Sequence, residues 1–539
     1  MIIGDSRKID LSTSSFRRMI TNGNLYVDKT RFIENFLQNP NSVQLIARQR
    51  RLGKSLNMDM LRCFLTDKKD TRTLFKGLYV ESSPVWEKVN SAPIFHFDFK
   101  SFTVDTYKKA LYGMMHDYIK QYCKDEHLSW LTKEYLNNKD FDDPAGLRHL
   151  TESVYKATGK RSYLLIDEYD HVLISQYNTD AYNDIRRFMT DFLSAGVKGN
   201  DYIEKILLTG VMRISHESML SGLNNIVTYD VFADEVYTDD YGLTEKEITE
   251  LAALAHFDIP TVRAWYNGIR IGGHAIYNIY AIMFYITHNK LGCYWGKSGT
   301  MDMIISMLNN ERREVLARLL NGEQVEVSIV NRVSLRQLAH PTTDQAFYSF
   351  LVQAGYLALL EAMSNDSTSA IVYLPNTELK IVWQQFVLET FCINTPKMKT
   401  LFDHADDLDA FAYNIEYFLR DRLSYHDLTM GKGDVYTTEQ LYHIFVLGIL
   451  SAYEDVRCQY PLSNRESGGG RYDILVQKPE ANYIIEFKTA DNTEALPAKA
   501  NEALQQIETK RYGQDLGQKK LVRVGIAFCG KQCKVVCHA

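Results

Sequence analysis

The 539-residue chain has no run of about 18 apolar residues, the length a helix needs to cross a bilayer. Its greasiest stretches, Tyr277 to Ile286 and Phe445 to Ala452, stop short and read as buried elements. The opening MIIGDSRKID meets charge at Asp5, so it lacks the apolar core of a secretory signal. Cysteine is scarce: eight, scattered over the whole length, make no disulfide framework. The expectation is a cytoplasmic protein with reduced thiols. Positive charge is not in excess, because 61 Lys and Arg face 67 Asp and Glu for a net charge of −6. Attraction to nucleic acid or to a membrane surface therefore has to come from a local patch. No 20–50-residue repeat and no low-complexity tract interrupts the chain. What remains is the balance of a globular protein, 45% hydrophobic and 24% charged, long enough for several cores.

Three blocks stand out. Residues 1–240 alternate short apolar runs with helical stretches, the pattern of a parallel α/β domain. The runs Val43 to Ala47, Pro93 to Phe99, Tyr163 to Ile166 and Ile206 to Thr209 suit strands buried on both faces. Residues 241–400 read as a mainly helical block, lid or winged-helix-like, with a small β element at Ala370 to Leu374. A capping box at Thr244 and Glu247 starts its first helix, and Met301 to Asn309 and Phe347 to Ala354 continue in the same style. Residues 401–539 give helices at Leu408 to Leu423 and Thr438 to Ala452 and a glycine run at Gly468 to Gly470. Strands at Tyr472 to Gln477 and Tyr483 to Lys488, a helix at Ala498 to Tyr512 and a strand at Val522 to Phe528 complete a second, smaller α/β domain.

Two places in the first block carry phosphate chemistry. After the strand Val43 to Ala47, Gly53-Lys54-Ser55 matches the end of a P-loop. Backbone N–H groups at a helix start hold phosphate oxygens, Lys54 reaches the outer phosphates, and Ser55 suits Mg²⁺. The pattern's first glycine falls on Arg48, which removes a permissive backbone position. The loop instead carries Arg48, Arg50 and Arg51, whose guanidinium groups can grip phosphate in bidentate fashion. The bland alternative is a basic turn capping a surface helix. The second place is the strand Tyr163 to Ile166 ending in Asp167-Glu168, the form expected of a P-loop's partner strand. Asp167 would hold Mg²⁺ and Glu168 would orient or deprotonate the attacking water. The strand Ile206 to Thr209 ends in a threonine that could sense the γ-phosphate or position water, with Arg213 in reach of a nucleotide edge or of a neighbouring subunit; an ordinary strand end and a surface arginine are the alternatives.

The C-terminal block holds Asp473, then Glu486-Phe487-Lys488. Alternation along a strand puts Glu486 and Lys488 on one face, and a short hairpin brings Asp473 beside them. Two carboxylates and an ammonium so placed suit phosphodiester cleavage with Mg²⁺ or Mn²⁺: Asp473 and Glu486 hold metal, and Lys488 orients the water or stabilises developing charge. Glu439, at an upstream helix start, is a further candidate metal ligand, with Glu466, in the loop before the strand, its rival. Gln506 and Tyr512 are candidate neighbours of the substrate phosphate. The bland alternative is a hairpin in which Glu486 and Lys488 form a same-face ion pair. Nine basic against six acidic side chains over 484–539 make only a mildly basic face for DNA. Cys529, Cys533, Cys537 and His538 do not have the pairing of a zinc site and read as core and edge residues. His96 and Asp98 read as a partly buried strand end.

Taken together, Tyr26-Val-Asp-Lys-Thr30, Arg48 to Leu56, Ile166 to Asp170, Leu208 to Val211, Gly222 to Asn225, Trp265-Tyr-Asn-Gly268 and Tyr277-Asn278 resemble the bacterial AAA-ATPase-like family. The spacing Asp473…Glu486-X-Lys488 resembles the PD-(D/E)XK nuclease core, with Tyr472 where a proline is usual. The resemblance implies a P-loop ATPase domain joined to a restriction-endonuclease-like domain, and it implies that Arg48 is a family trait. Gln49 and Leu52 replace that family's usual proline and phenylalanine; neither position supplies a phosphate ligand. The expected function is ATP hydrolysis coupled to a metal-dependent DNA endonuclease, in defence against mobile DNA or its control. The expected partner is DNA, with assembly into a homo-oligomer left open. The alternative is a non-catalytic switch in which ATP changes conformation or assembly and the nuclease-like domain only docks a partner or DNA. Tyr26 to Thr30 either contact adenine or ribose or lock the first helix.

Overall fold

The computed structural model describes residues 1–103, 105–123, 143–176, 179–212, 226–232, 236–295, 304, 307–320, 322–330, 344–361, 368–390, 407–422, 446, 459–477, 481–517, 519–530 and 532–539. Its contacts form two compact units, Met1–Lys297 with Glu326–Glu378, and Ser298–Val325 with Leu379–Ala539. The block expected over 241–400 is thus divided between them. Most of the helix expected at Thr438 to Ala452, most of Met301 to Asn309, and Gly222 to Asn225 lie outside the described residues.

In the first unit, the apolar runs become β1 (Val43–Ala47), β2 (Ile94–Asp98), β3 (Ser162–Asp167) and β4 (Ile203–Gly210). A fifth strand, β5 (Ile226–Tyr229), joins them. The order is β2-β3-β4-β1-β5 and every pair is parallel. Every residue of β1 and β3 is buried, as a sheet covered on both faces requires. The covering helices include α1 (Lys54–Leu65), α2 (Tyr107–Tyr122), α3 (Gly146–Thr158) and α4 (Tyr182–Val197). α4 shows why: Ile185, Phe188, Met189, Phe192 and Leu193 make one apolar stripe, and all are buried.

The same unit continues with α5 (Glu245–Ala255), opened by the Thr244–Glu247 capping box, then α6 (Ile259–Tyr266), α7 (Ile279–His288) and α8 (Asp344–Ala354). Ala358–Leu359 and Ser369–Tyr373 form a small antiparallel pair. Asn278 caps α7 through Ala281 N–H, and the Tyr277 hydroxyl donates to Glu245. Gly268 has φ +98°, and the Pro375 carbonyl oxygen lies 2.3 Å from where its Cβ would be, so only glycine fits there. Lys29 Nζ donates to the Asp239 carbonyl and to Glu247, each at 2.7 Å, while Asp28 accepts from the backbone of Thr30 and Tyr79. Tyr26 to Thr30 therefore lock elements of the fold together. Among the described residues no helix is long and apolar enough to cross a membrane.

The second unit is a mixed sheet in chain order: β6 (Gln459–Ser467), β7 (Gly470–Gln477), β8 (Ala481–Thr489), β9 (Lys520–Cys529) and β10 (Gln532–His538). All pairs are antiparallel except β8 with β9. Alternate residues serve the two faces. Phe411, Ile415 and Leu419 of α9 (Leu408–Arg422) pack with Ile474, Tyr483, Ile485, Phe487 and Val524. Ile507 of α10 (Leu496–Thr509) packs with Leu475 and Ile484. Two expectations change. Glu466 lies within β6, opposite Arg471, rather than in a loop. The last helix stops at Thr509, because Arg511 takes φ +54° and Gly513 φ +86°, so Tyr512 follows the helix.

Gly525 lets α10 sit directly on β9: its Cβ would fall 2.3 Å from Ala500 O and 2.7 Å from Leu504 N. Gly525→Ala is expected to destabilise the second unit by about 1–3 kcal/mol through overpacking, read as a lowered midpoint in urea. An unchanged midpoint contradicts this packing.

Candidate functional site

The loop after β1 reaches α1 through Gly53, at φ +93°. No side chain caps the start of α1, and nothing lies within 4 Å of where a Gly53 Cβ would be. Helix-start amides that no side chain caps fit a phosphate group. Lys54 opens α1 and is buried; its ammonium donates to the carbonyls of Arg48 at 3.0 Å and Gln49 at 3.1 Å and lies 4.0 Å from Glu168. Ser55 follows it in the first helical turn.

The Arg48 side chain turns away from this group. Fully buried, it donates to the carbonyls of Ala47 at 2.9 Å and Tyr229 at 3.0 Å, and its guanidinium lies over the Tyr241 ring. Its charge serves the strand ends, which corrects the reading of Arg48 as a phosphate grip. Arg51 takes φ +65° and lies 4.3 Å from the Tyr280 ring centroid, a cation–π contact. Arg50 is partly buried, and its carbonyl accepts the Trp295 indole N–H at 3.3 Å. The Gln49 amide donates to Val352 O. The loop is thus backed by α7, by Trp295 and by α8.

The carboxyl ends of β3 and β4 face the same loop. In register, Thr209 of β4 sits beside Ile46 of β1, and its hydroxyl donates to the Asp167 carboxylate. Asp167 is buried and also accepts Glu168 N–H at 3.0 Å. Glu168 takes φ +51°, which turns the chain away after β3. Asp98 of β2 is the register partner of Asp167, which brings that strand end to the site's edge. Burial holds the pKa of His96 below its ordinary value. Burial also raises Asp170 to about 6, aided by the nearby charge of Glu168. Arg213 lies outside the described residues.

In the second unit the β7–β8 ladder ends with Ile474 opposite Ile485, so the next positions across the pair are Asp473 and Glu486. Asp473 Oδ2 accepts Phe487 N–H at 2.8 Å, and Glu486 Oε2 accepts Asp473 N–H at 3.4 Å. Glu486 is buried, and the Gln506 amide of α10 donates to it. Lys488, partly buried, shares the Glu486 side of β8. Tyr512 follows α10; burial raises its pKa, a Gln506 hydrogen bond opposes this, and the Glu486 and Asp473 charges add to it. Two facing carboxylates are hard oxygen donors that fit Mg²⁺ or Mn²⁺. Among the described residues no group of three His, Cys, Asp or Glu side chains gathers for a metal. Glu439 lies outside them. Cys533 and Cys537 are each raised to about 12 by burial.

A parallel sheet of P-loop type with its carboxylate strand, and a mixed sheet with facing acids, are the folds of an AAA-ATPase-like domain and of a nuclease-like domain. Residues 10–220 match the family described as predicted AAA-ATPase, and residues 437–538 match the PD-(D/E)XK nuclease superfamily. The chain therefore carries an AAA-ATPase-like domain and a C-terminal domain of the PD-(D/E)XK nuclease superfamily. It is 25% identical, over 90% of its length and 89% of the relative's, to an uncharacterized protein in the vnfD 5′ region of Azotobacter chroococcum mcd 1. It also resembles the Walker-type ATPase PabY2304 of Pyrococcus abyssi, at 14% identity and a TM-score of 0.33, covering 66% of this chain and 94% of the other.

Glu378 supports the back of the loop. Its carboxylate accepts the N–H groups of Tyr294 and Trp295, and burial raises its pKa to about 7, against a smaller opposing pull from Arg51. A raised folded-state pKa gives stability that is full below the unfolded value of 4.5 and lost as pH rises through about 7. Glu378→Gln keeps an oxygen for both N–H groups. It is expected to match the wild type near about pH 4 and to exceed it by up to about 3 kcal/mol near about pH 8, read by denaturant unfolding. Equal stability at both pH values contradicts this.

Proposed function

We propose that the first unit hydrolyses ATP and that this cycle licenses metal-dependent cleavage of DNA by the second. The observation that carries the reading is Asp473 facing Glu486 across β7 and β8, with Lys488 on the same side, in a chain that also presents Lys54, Asp167 and Glu168 around one open helix start. In the first unit, Lys54 exchanges its loop carbonyls for the β- and γ-phosphates, and Gly53 leaves room for them. Ser55 and Asp167 hold Mg²⁺, Thr209 fixes Asp167, and Glu168 orients and deprotonates the attacking water. Arg50, Arg51 and Arg213 are the arginines available to neutralise phosphate charge. In the second unit, Asp473 and Glu486 hold Mg²⁺ or Mn²⁺, Gln506 fixes Glu486, and Lys488 orients the water and steadies the charge that builds on the phosphate. The bound ion supplies an acidified water at that phosphate. Glu439 is the candidate further ligand. Control of mobile DNA, or defence against it, is a setting that suits such coupling.

The Trp295–Arg50 bond makes the backing elements a reporter of the loop. Binding of a non-hydrolysable ATP analogue is expected to change the Trp295 fluorescence, a change absent in Trp295→Phe and in Lys54→Ala. A signal that persists in Lys54→Ala places the nucleotide elsewhere.

Glu168→Gln is expected to lower ATP turnover by about 10²-fold or more while analogue affinity stays within about threefold. Lys488→Ala is expected to lower cleavage of plasmid and linear DNA by a similar factor and to leave ATP turnover unchanged. A wild-type chain that neither turns over ATP nor cuts DNA, in Mg²⁺ or in Mn²⁺, leaves the switch reading in its place.

A further inference from the structure

Asp170 follows Asp167 by three residues and is only 1% exposed, an unusual position for a charged side chain with no cation among the described residues within hydrogen-bond reach. Its Oδ2 accepts two backbone N–H groups, Val211 at 2.9 Å and Met212 at 2.8 Å, the first residues beyond β4. The neighbouring Tyr169 adds two more bonds to the same strand exit: its N–H donates to Thr209 O at 3.0 Å, and its hydroxyl to Met212 O at 2.7 Å. Gly210 is needed for this approach, because its Cβ would fall 2.6 Å from the Tyr169 ring and 2.8 Å from Asp170 Oδ1. The turn holding these groups begins at Glu168, at φ +51°, and its His171 N–H closes onto Glu168 O at 2.9 Å.

Four hydrogen bonds therefore tie the turn after β3 to the end of β4. One end of this strap carries Glu168, in a backbone conformation that a non-glycine residue holds only when its surroundings enforce it. The other end carries Thr209, whose hydroxyl bonds Asp167. We propose that Asp170, with Tyr169, is a positioning residue for ATP hydrolysis: it fixes Glu168 and Thr209 relative to each other at the water side of the γ-phosphate. The inference rests on the ATPase reading and deepens it. Asp170 acts through Glu168 and Thr209 and does not itself touch substrate.

Both N–H groups bond the same oxygen, so the amide oxygen of an asparagine can repeat both bonds, whereas alanine repeats neither. The test measures ATP turnover and analogue affinity on the full chain, with thermal melts to check folding. Asp170→Ala is expected to lower kcat by about 30-fold or more, with analogue Kd within about threefold, because misplacing the groups that act in the transition state affects chemistry more than ground-state binding. Asp170→Asn is expected to stay within about fivefold of wild-type kcat. Tyr169→Phe keeps the ring and the buried carboxylate and is expected to lower kcat by about threefold to tenfold at unchanged Kd. If Asp170→Ala does not fold, Tyr169→Phe decides. Wild-type turnover in Tyr169→Phe, or a folded Asp170→Ala within threefold of wild type, overturns the proposal. So do an Asp170→Asn chain as slow as the alanine variant and a fall in affinity that matches the fall in kcat. These outcomes sink this inference alone, since the wild type still hydrolyses ATP; a wild type without turnover sinks the ATPase reading along with it.

Discussion

A carboxylate at the end of a dry parallel strand has to be answered by its neighbours, and in this chain the hydroxyl of Thr209 answers Asp167. That bond exists because β4 lies between β1 and β3. The strand order sends the chain from β1 across to β2, back through β3 and β4, and then past β1 to β5. It leaves the loop of Lys54, the acid of Asp167 and the hydroxyl of Thr209 at one carboxyl edge, where ligands of open α/β sheets bind. Move β4 elsewhere and the buried acid loses its partner, and the lysine faces apolar strand ends.

The loop itself departs from the common glycine-rich form in a way its surroundings explain. Arg48 replaces a glycine, and its guanidinium satisfies the carbonyls of Ala47 and Tyr229. Gln49, Arg50 and Arg51 are each engaged by later parts of the chain, at Val352, Trp295 and Tyr280. A loop held from behind by three separate elements cannot change shape without moving them. The helical segment between sheet and Glu378 is therefore mechanically part of the loop's support. In the second unit the same economy appears on a smaller scale: Gly525 brings α10 onto β9, and α10 delivers Gln506 to Glu486.

Much of this was legible in the sequence. Buried parallel strands announce themselves as short apolar runs, and β1, β2, β3 and β4 fall where Val43 to Ala47, Pro93 to Phe99, Tyr163 to Ile166 and Ile206 to Thr209 pointed. Glu486 and Lys488 share a strand face by simple alternation. The roles of the arginines were not legible, because a basic loop reads the same whether a guanidinium meets a phosphate or a carbonyl; Arg48 needed the position of Tyr229 to settle it. β6 was hidden because Gln459 to Ser467 is a polar edge strand with no apolar run. Asp170 was visible only as one more acid in a short motif, since its partners are backbone N–H groups forty residues away. Gly210 and Gly525 carry no chemistry of their own, and only the closeness of Tyr169 and of Ala500 shows why no side chain stands there.

The central claim is that each α/β unit assembles its own site for a divalent ion, one requiring nucleotide and one not. Mn²⁺ binding to the full chain, measured by calorimetry with and without a non-hydrolysable ATP analogue, tests it most directly when wild type and Asp473→Asn are compared. The account predicts that wild type binds Mn²⁺ without nucleotide, that Asp473→Asn does not, and that adding the analogue gives both chains a binding event. An Asp473→Asn chain that takes up Mn²⁺ without nucleotide as the wild type does would contradict it.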